Sequence, residues 1–258
     1  MSGIRVFGQT PSVLGIIMLD TQFPRPLGDV GNTQTFGVSV HHEKVKGIWP
    51  AKVVTSAASL RQARLVPAFQ GIVRGMQMRG VQAITTSCGF LVLLQKELQS
   101  VTKLPVVTSS LLQLPALLLK EQQVGLLTIG AGTLGAEHLR AAGVPKERLK
   151  DVIIQGMPPA GEFVSKILGN QPTLHLALAR EEAVAAALTL KVRAPQLKSL
   201  VLECTNLPPY QAAIEEATGW KIYSLTTDPR LRKVIDATTA KSAPATQEQN
   251  VASSGEIT

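Results

Sequence analysis

Cysteine is nearly absent from this 258-residue chain: there are two, Cys88 and Cys204. That count excludes the disulfide framework that staples small secreted domains. A single disulfide is neither needed nor kept by a cytosolic chain of this size. The remaining readings are small buried hydrophobes or catalytic thiols. Aromatic residues make up only 4%, too few for the stacking platforms that bind single-stranded nucleic acid. No apolar run approaches the roughly 18 residues needed to cross a bilayer. No basic stretch followed by a long apolar region opens the sequence, so no secretory signal is read and a cytoplasmic location is expected. No group of Cys, His and carboxylates has metal-ligand spacing. Gly130-Ala131-Gly132 follows a strand but lacks both the dinucleotide and the Walker spacing. Neither a metal nor any cofactor, pyridoxal phosphate included, is therefore expected.

What is present is basic and rich in aliphatic residues. The net charge is +8, and 45% of residues are hydrophobic, enough to bury a sizeable core. Lys and Arg are spread along the chain rather than clustered, which argues against nucleic acid and fits steering of an anionic small substrate. The expected partner is a small-molecule carboxylate, with no membrane and with a homodimer left open.

Short apolar runs alternate with helical patterns. Strands are expected at Val13–Leu19, Lys52–Thr55, Val81–Thr86, Leu104–Thr108, Gln123–Ile129, Val152–Gln155, Ser199–Glu203 and Lys221–Ser224. Helices are expected at Leu60–Met78, Leu91–Val101, Leu111–Lys120, Leu134–Ala142, Thr173–Val192 and Pro208–Thr218. Continuous apolar strands alternating with helices indicate parallel sheets covered on both faces. The last twenty residues, 239–258, are rich in Ala, Thr, Ser and Gln and are expected as a disordered tail.

The chain also repeats itself. Leu14-Gly15-Ile16-Ile17 matches Val124-Gly125-Leu126-Leu127, and a later strand in each half runs into a cysteine. Each half closes on a strand ending in Ser or Thr. The expected fold is α/β, with two pseudo-symmetric Rossmann-like or flavodoxin-like domains, parallel sheets and an active-site cleft between them. The expected division is 1–114 plus 226–238 for the first domain and 115–225 for the second. Ligands of open parallel sheets bind beyond the carboxyl ends of the strands. Both cysteines fall there, on opposite walls of one cleft. One thiolate taking an α-proton and one thiol returning it to the far face would invert a carbon, each thiol tuned by a following helix amino terminus.

At these residues the chain resembles the aspartate/glutamate racemase superfamily, and in particular a branch known only as aspartate/glutamate racemase family proteins. The resemblance runs from about Val13 to Ile235. It is carried by Gly15–Thr21, Phe23–Asn32, Thr86-Ser87-Cys88-Gly89-Phe90 and Glu203-Cys204-Thr205-Asn206. It implies catalytic thiols from two domains, no cofactor, and a cytoplasmic isomerase inverting Cα of aspartate, glutamate or a related carboxylate. A maleate-type cis-trans isomerase, a hydantoin racemase and a non-catalytic small-ligand-binding protein are the alternatives. Glutamate racemases follow the first cysteine with Asn-Thr and the second with Thr-His, where this chain has Gly89-Phe90 and Thr205-Asn206.

The candidate catalytic residues are thus Cys88 and Cys204. Candidate substrate-binding residues are Arg25, Thr86, Ser87, Thr128, Thr205 and Asn206. Arg25 would clamp a carboxylate with its guanidinium fork, unless Asp29 or Asp20 pairs it. Asp29 is taken as structural. His41 and His42 are read as an exposed loop or helix start, and His138 and His175 as ordinary helix residues.

Overall fold

The computed structural model describes residues 13–54 and 65–242. Strands are β1 Leu14–Leu19, β2 Val40–Val45, β3 Ala83–Thr86, β4 Val106–Val107, β5 Val124–Thr128, β6 Val152–Gly156, β7 Ser199–Leu202 and β8 Lys221–Tyr223. Helices are α1 Pro50–Val53, α2 Val66–Met78, α3 Gln95–Gln99, α4 Leu114–Leu118, α5 Ala136–Ala141, α6 Glu162–Leu168, α7 Leu176–Arg193, α8 Gln211–Thr218 and α9 Pro229–Ser242.

The strands form two four-stranded sheets, ordered β2-β1-β3-β4 and β6-β5-β7-β8, with every pairing parallel. The second sheet repeats the first strand for strand. β1 and β5 are central and wholly buried, as their unbroken apolar sequences require. The order reverses beside each of them, and a ligand crevice forms at such a switch point.

One hydrophobic core runs through both sheets, from Ile17 and Ile84 to Leu126 and Val201. The second face of the first sheet is covered by the end of the chain: Leu231 and Ile235 of α9 pack with Leu14, Ile16, Ala83 and Val107. On α7, Ala179, Ala183, Ala186, Ala187 and Leu190 are buried. That is one stripe at helical spacing, with alanines admitting close approach to the sheet.

Some local expectations need correction. Lys52–Val54 is not a strand: Pro50 stands at the first helical position, where its missing N–H costs nothing, and a one-turn helix forms. Thr55 lies outside the described residues. Val40–Val45 is a strand where a loop or helix start was expected at His41 and His42. It lies at the edge of its sheet, pairing with β1 alone, so its polar side chains reach solvent and mask the pattern. Helix α6 was missed because it is short. Its amino terminus is fixed from afar, with the Glu162 and Phe163 N–H groups donating to the two oxygens of Glu182 at 2.7 and 2.9 Å. His175 is a helix cap rather than an interior residue, its Nδ1 accepting from the Leu178 N–H at 3.2 Å. Helix α9 runs to Ser242, four residues into the segment expected as a tail. Residues 243–258 lie outside the described residues.

Candidate active site

Each cysteine stands two residues beyond the strand next to its sheet's central strand. The backbone there is the same in both halves. The Ser87 N–H donates to Ile17 O at 3.0 Å, and the Glu203 N–H to Leu127 O at 2.9 Å. The carbonyl of Cys88 accepts from Leu91 N–H at 3.1 Å, and that of Cys204 from Leu207 N–H at 3.0 Å. Cys88 and Cys204 are therefore equivalent by pseudo-symmetry, and so are Ser87 and Glu203. Neither thiol is in a disulfide, and both are buried.

The two turns meet around a small cavity. Ser87, Cys88, Glu203, Cys204, Thr205 and Asn206 give its polar lining. Leu19, Pro50, Val54, Phe90, Ile129 and Ile167 give its apolar lining. Its volume is about 20 Å3, room for roughly one water-sized sphere. None of the described residues lining it is Lys, Arg or His. Larger surface grooves exist, but their linings contain neither cysteine.

Bonds across the repeat hold the walls together. Thr205 Oγ1 donates to Ser87 O at 2.7 Å, and Ser110 Oγ to Leu202 O at 2.6 Å. At one side of the cavity α1 packs against α6. Just beyond α6, Asn170 adopts φ +49°. Its Oδ1 accepts from Gln22 N–H at 2.8 Å and its Nδ2 donates to Asp20 O at 3.3 Å.

A chain of contacts leads to the second thiol. Cys204 Sγ donates to Asn206 Oδ1 at 3.5 Å. Asn206 Nδ2 donates to Asp29 Oδ2 at 2.6 Å, which fixes the amide's orientation. Asp29, wholly buried, is paired by Arg25 Nη1 at 2.7 Å, and Arg25 Nη2 donates to Thr21 Oγ1 at 2.9 Å. Cys88 differs. It has the Phe90 and Leu91 N–H groups beside it, which favour a thiolate, yet burial and then the Glu203 charge push it up to about 12. Burial and Glu203 raise Cys204 as well, with one backbone N–H, that of Asn206, opposing. The expected lowering by helix termini is thus outweighed. Each cysteine is followed first by a 3₁₀ turn, Gly89–Leu94 or Pro208–Tyr210, and the expected helices begin only beyond these, at Gln95 and Gln211.

Glu203 is the residue that sequence reading passed over. Burial raises its carboxyl to about 7, against the Thr128 hydrogen bond. Thr128 Oγ1 donates to Glu203 Oε2 at 2.8 Å, while Oε1 has no partner. A Cβ at residue 89 would lie 2.3 Å from Glu203 O and Oε1. The glycine after the first cysteine therefore makes room for the acid before the second.

Of the candidates, Cys88, Ser87, Cys204, Thr205 and Asn206 are brought together at the cavity. Arg25, Thr86 and Thr128 do not line it. Thr86 Oγ1 donates to the carbonyls of Cys88 and Thr108, and Thr128 serves Glu203.

The two sheets and the paired turns define the aspartate/glutamate racemase fold. Glutamate racemase from Bacillus anthracis superposes with a TM-score of 0.56 at 16% identity, over 89% of this chain and 82% of that one. Allantoin racemase from Pseudomonas fluorescens gives 0.51 at 16%, over 89% and 92%. No family model matches the sequence.

In sequence, the chain is similar to dimethylsulfoniopropionate lyases. The Durusdinium sp. clade D enzyme is 26% identical over 84% of this chain and 73% of its own length. Lyase 3 of Emiliania huxleyi is 30% identical over 81% of this chain and 56% of its own length, so the chain spans little more than half of that relative. These relatives correct the expectation of an amino-acid racemase, and with it the isomerase class and the maleate and hydantoin variants: their activity is that of lyases. Two thiols at one cleft do not by themselves fix the reaction class. Among the described residues, no helix is long and apolar enough to cross a membrane, and no group of three or more His, Cys, Asp or Glu could hold a metal ion.

Proposed function

We propose that the chain is a lyase that cleaves dimethylsulfoniopropionate, or a close relative bearing a β-sulfonium group, by elimination. The observation that carries this reading is its sequence similarity to lyases of that substrate over more than four-fifths of its length. A base removes the proton α to the carboxylate. The C–H electrons become the Cα=Cβ bond, and the Cβ–S bond breaks with its pair passing to sulfur. The products are acrylate and neutral dimethyl sulfide. The leaving group needs no proton, so one base suffices where inversion needs a base and an acid.

The geometry favours Cys88 as that base. It faces two backbone N–H groups, whereas the Cys204 thiol is a donor to Asn206 and so is held in its protonated form. A cation arriving in the cavity would lower both thiols toward their working range. For the carboxylate, Ser87 Oγ accepts from Leu19 N–H at 2.9 Å, which leaves its own proton to donate. The second N–H of Asn206 is a further donor. Arg25 acts at one remove, through Asp29 and Asn206. We take 1–114 with 226–238, and 115–225, as the two structural units, a division supported by the packing of α9 on the first sheet.

The experiment supplies purified chain with dimethylsulfoniopropionate and monitors headspace dimethyl sulfide together with acrylate. Equimolar release of both is expected. Absence of both sinks the reading.

A further inference from the structure

We propose that Glu203 is the specificity-determining residue of this cavity: its carboxylate is the counter-charge for an onium group on the substrate, so the site selects carboxylates that bear an onium group over carboxylates of the same shape that lack one. What is turned over rests on the lyase reading, but the charge preference rests on the cavity walls.

The walls are asymmetric in a way the backbone is not. At one pair of equivalent positions the first half carries Ser87 and the second carries Glu203, and both line the cavity. One offers a hydroxyl donor and the other an acceptor, as the two ends of a zwitterion require. No basic side chain lines the cavity among the described residues, and Arg25 is already paired by Asp29. Glu203 Oε1 is buried without a partner, a costly arrangement in a protein interior unless something arrives to offset it. An onium sulfur or nitrogen bearing only alkyl groups has no N–H or O–H to donate. It is recognised by charge and by aromatic surface, and Phe90 adds an aromatic wall. The bare Gly89 gives the carboxylate room to sit at the cavity wall. A carboxyl whose protonation is balanced near neutrality would be drawn into its ionised form by such a ligand.

The test uses two non-sulfur probes of nearly one shape, 3-(trimethylammonio)propanoate and 4,4-dimethylpentanoate, which differ in a cationic nitrogen against a neutral carbon. Binding of each to the full chain and to E203Q is measured by calorimetry at about pH 8, above the range in which Glu203 titrates. Wild type is expected to prefer the cation by about tenfold or more, and E203Q to lose that preference. With dimethylsulfoniopropionate, E203Q is expected to raise KM by about tenfold while kcat does not fall, because the charge on sulfur diminishes toward the transition state and Glu203 holds the ground state more tightly. A preference kept in E203Q overturns the proposal; it would mean that Glu203 is a neutral hydrogen-bond donor, a role the amide fills. A wild type that prefers neither probe overturns it too. A preference lost in E203Q, in a protein that releases no dimethyl sulfide, would leave Glu203 assigned and remove the lyase reading instead. Should E203Q not fold, the wild type is titrated. The same titration of C88S removes the thiol that a bound cation would lower, and in both proteins the preference should fall from about pH 8 to about pH 5 as Glu203 takes up its proton. A preference constant over that range refutes the assignment.

Discussion

The carboxyl of Glu203 fills the space that a side chain at Gly89 would occupy, so the residue after the first cysteine and the residue before the second are one fitted pair. Replacing Gly89 by Ala puts a methyl 2.3 Å from Glu203 O and Oε1. Backbone and a buried side chain must both give way. G89A is expected to lose about 1–3 kcal/mol of stability, the usual scale of overpacking, and to lose elimination more completely than stability. Thermal melts and dimethyl sulfide release on the same sample check this. A variant with wild-type melting and rate would show that the turn yields freely.

Glu203 should also leave a mark on stability against pH. Its folded-state value, about 7, lies above the reference 4.5. The folded state thus favours the protonated acid, a contribution that is complete below the unfolded value and lost as pH rises through about 7. Glu203→Gln keeps the acceptor for Thr128 and removes the titration. E203Q is expected to exceed wild type by on the order of 3 kcal/mol at about pH 8 and to match it at about pH 4. Denaturant melts at the two pH values give the difference. Equal stability at the higher pH would mean the carboxylate is not strained there.

Arg25 separates two roles. A carboxylate clamp would raise KM when removed and leave the fold intact. The structure pairs the guanidinium with buried Asp29 instead. R25A is therefore expected to destabilise by about 3–5 kcal/mol, the cost of stranding one partner of a buried pair. R25K should restore part of the stability. A variant with normal melting and only a raised KM would return Arg25 to the substrate.

The two cysteines are not expected to be interchangeable. If Cys88 is the base, C88S should lower elimination by about 10²–10⁴-fold, the usual worth of a positioned base. C204S should cost about tenfold or less, since the leaving group takes no proton. Rates of dimethyl sulfide release by the two variants decide it. The reverse order would move the base to Cys204.

Much of this arrangement is legible in sequence because it is repeated. The apolar runs of β1 and β5, and a strand leading to Cys88 and to Cys204, identify the two sheets and the turns that face each other. The edge strand at Val40–Val45 escapes because one side of it is open to solvent, which removes the apolar signature. Glu203 escapes for another reason. Its neighbours make it look like the polar end of a strand, and its burial is set by a glycine more than a hundred residues earlier. Setting Thr86-Ser87-Cys88-Gly89 beside Leu202-Glu203-Cys204-Thr205 contains the signal: an acid in one copy and an unexpected glycine in the other. The reaction class is less legible still, because a thiol base would serve inversion and elimination alike. Which of them follows would depend on a leaving group, and that belongs to the substrate.

The bond from Asn170 to Gln22, together with a cavity of about 20 Å3, too small for any substrate of the proposed class, requires the walls to part before one can enter. A bulky alkylating reagent can reach Cys88 or Cys204 only in the fraction of time that the walls stand apart. At high reagent concentration its rate should level off at the frequency of opening, and N170A should raise that plateau. The reagent then times the opening of the empty cavity.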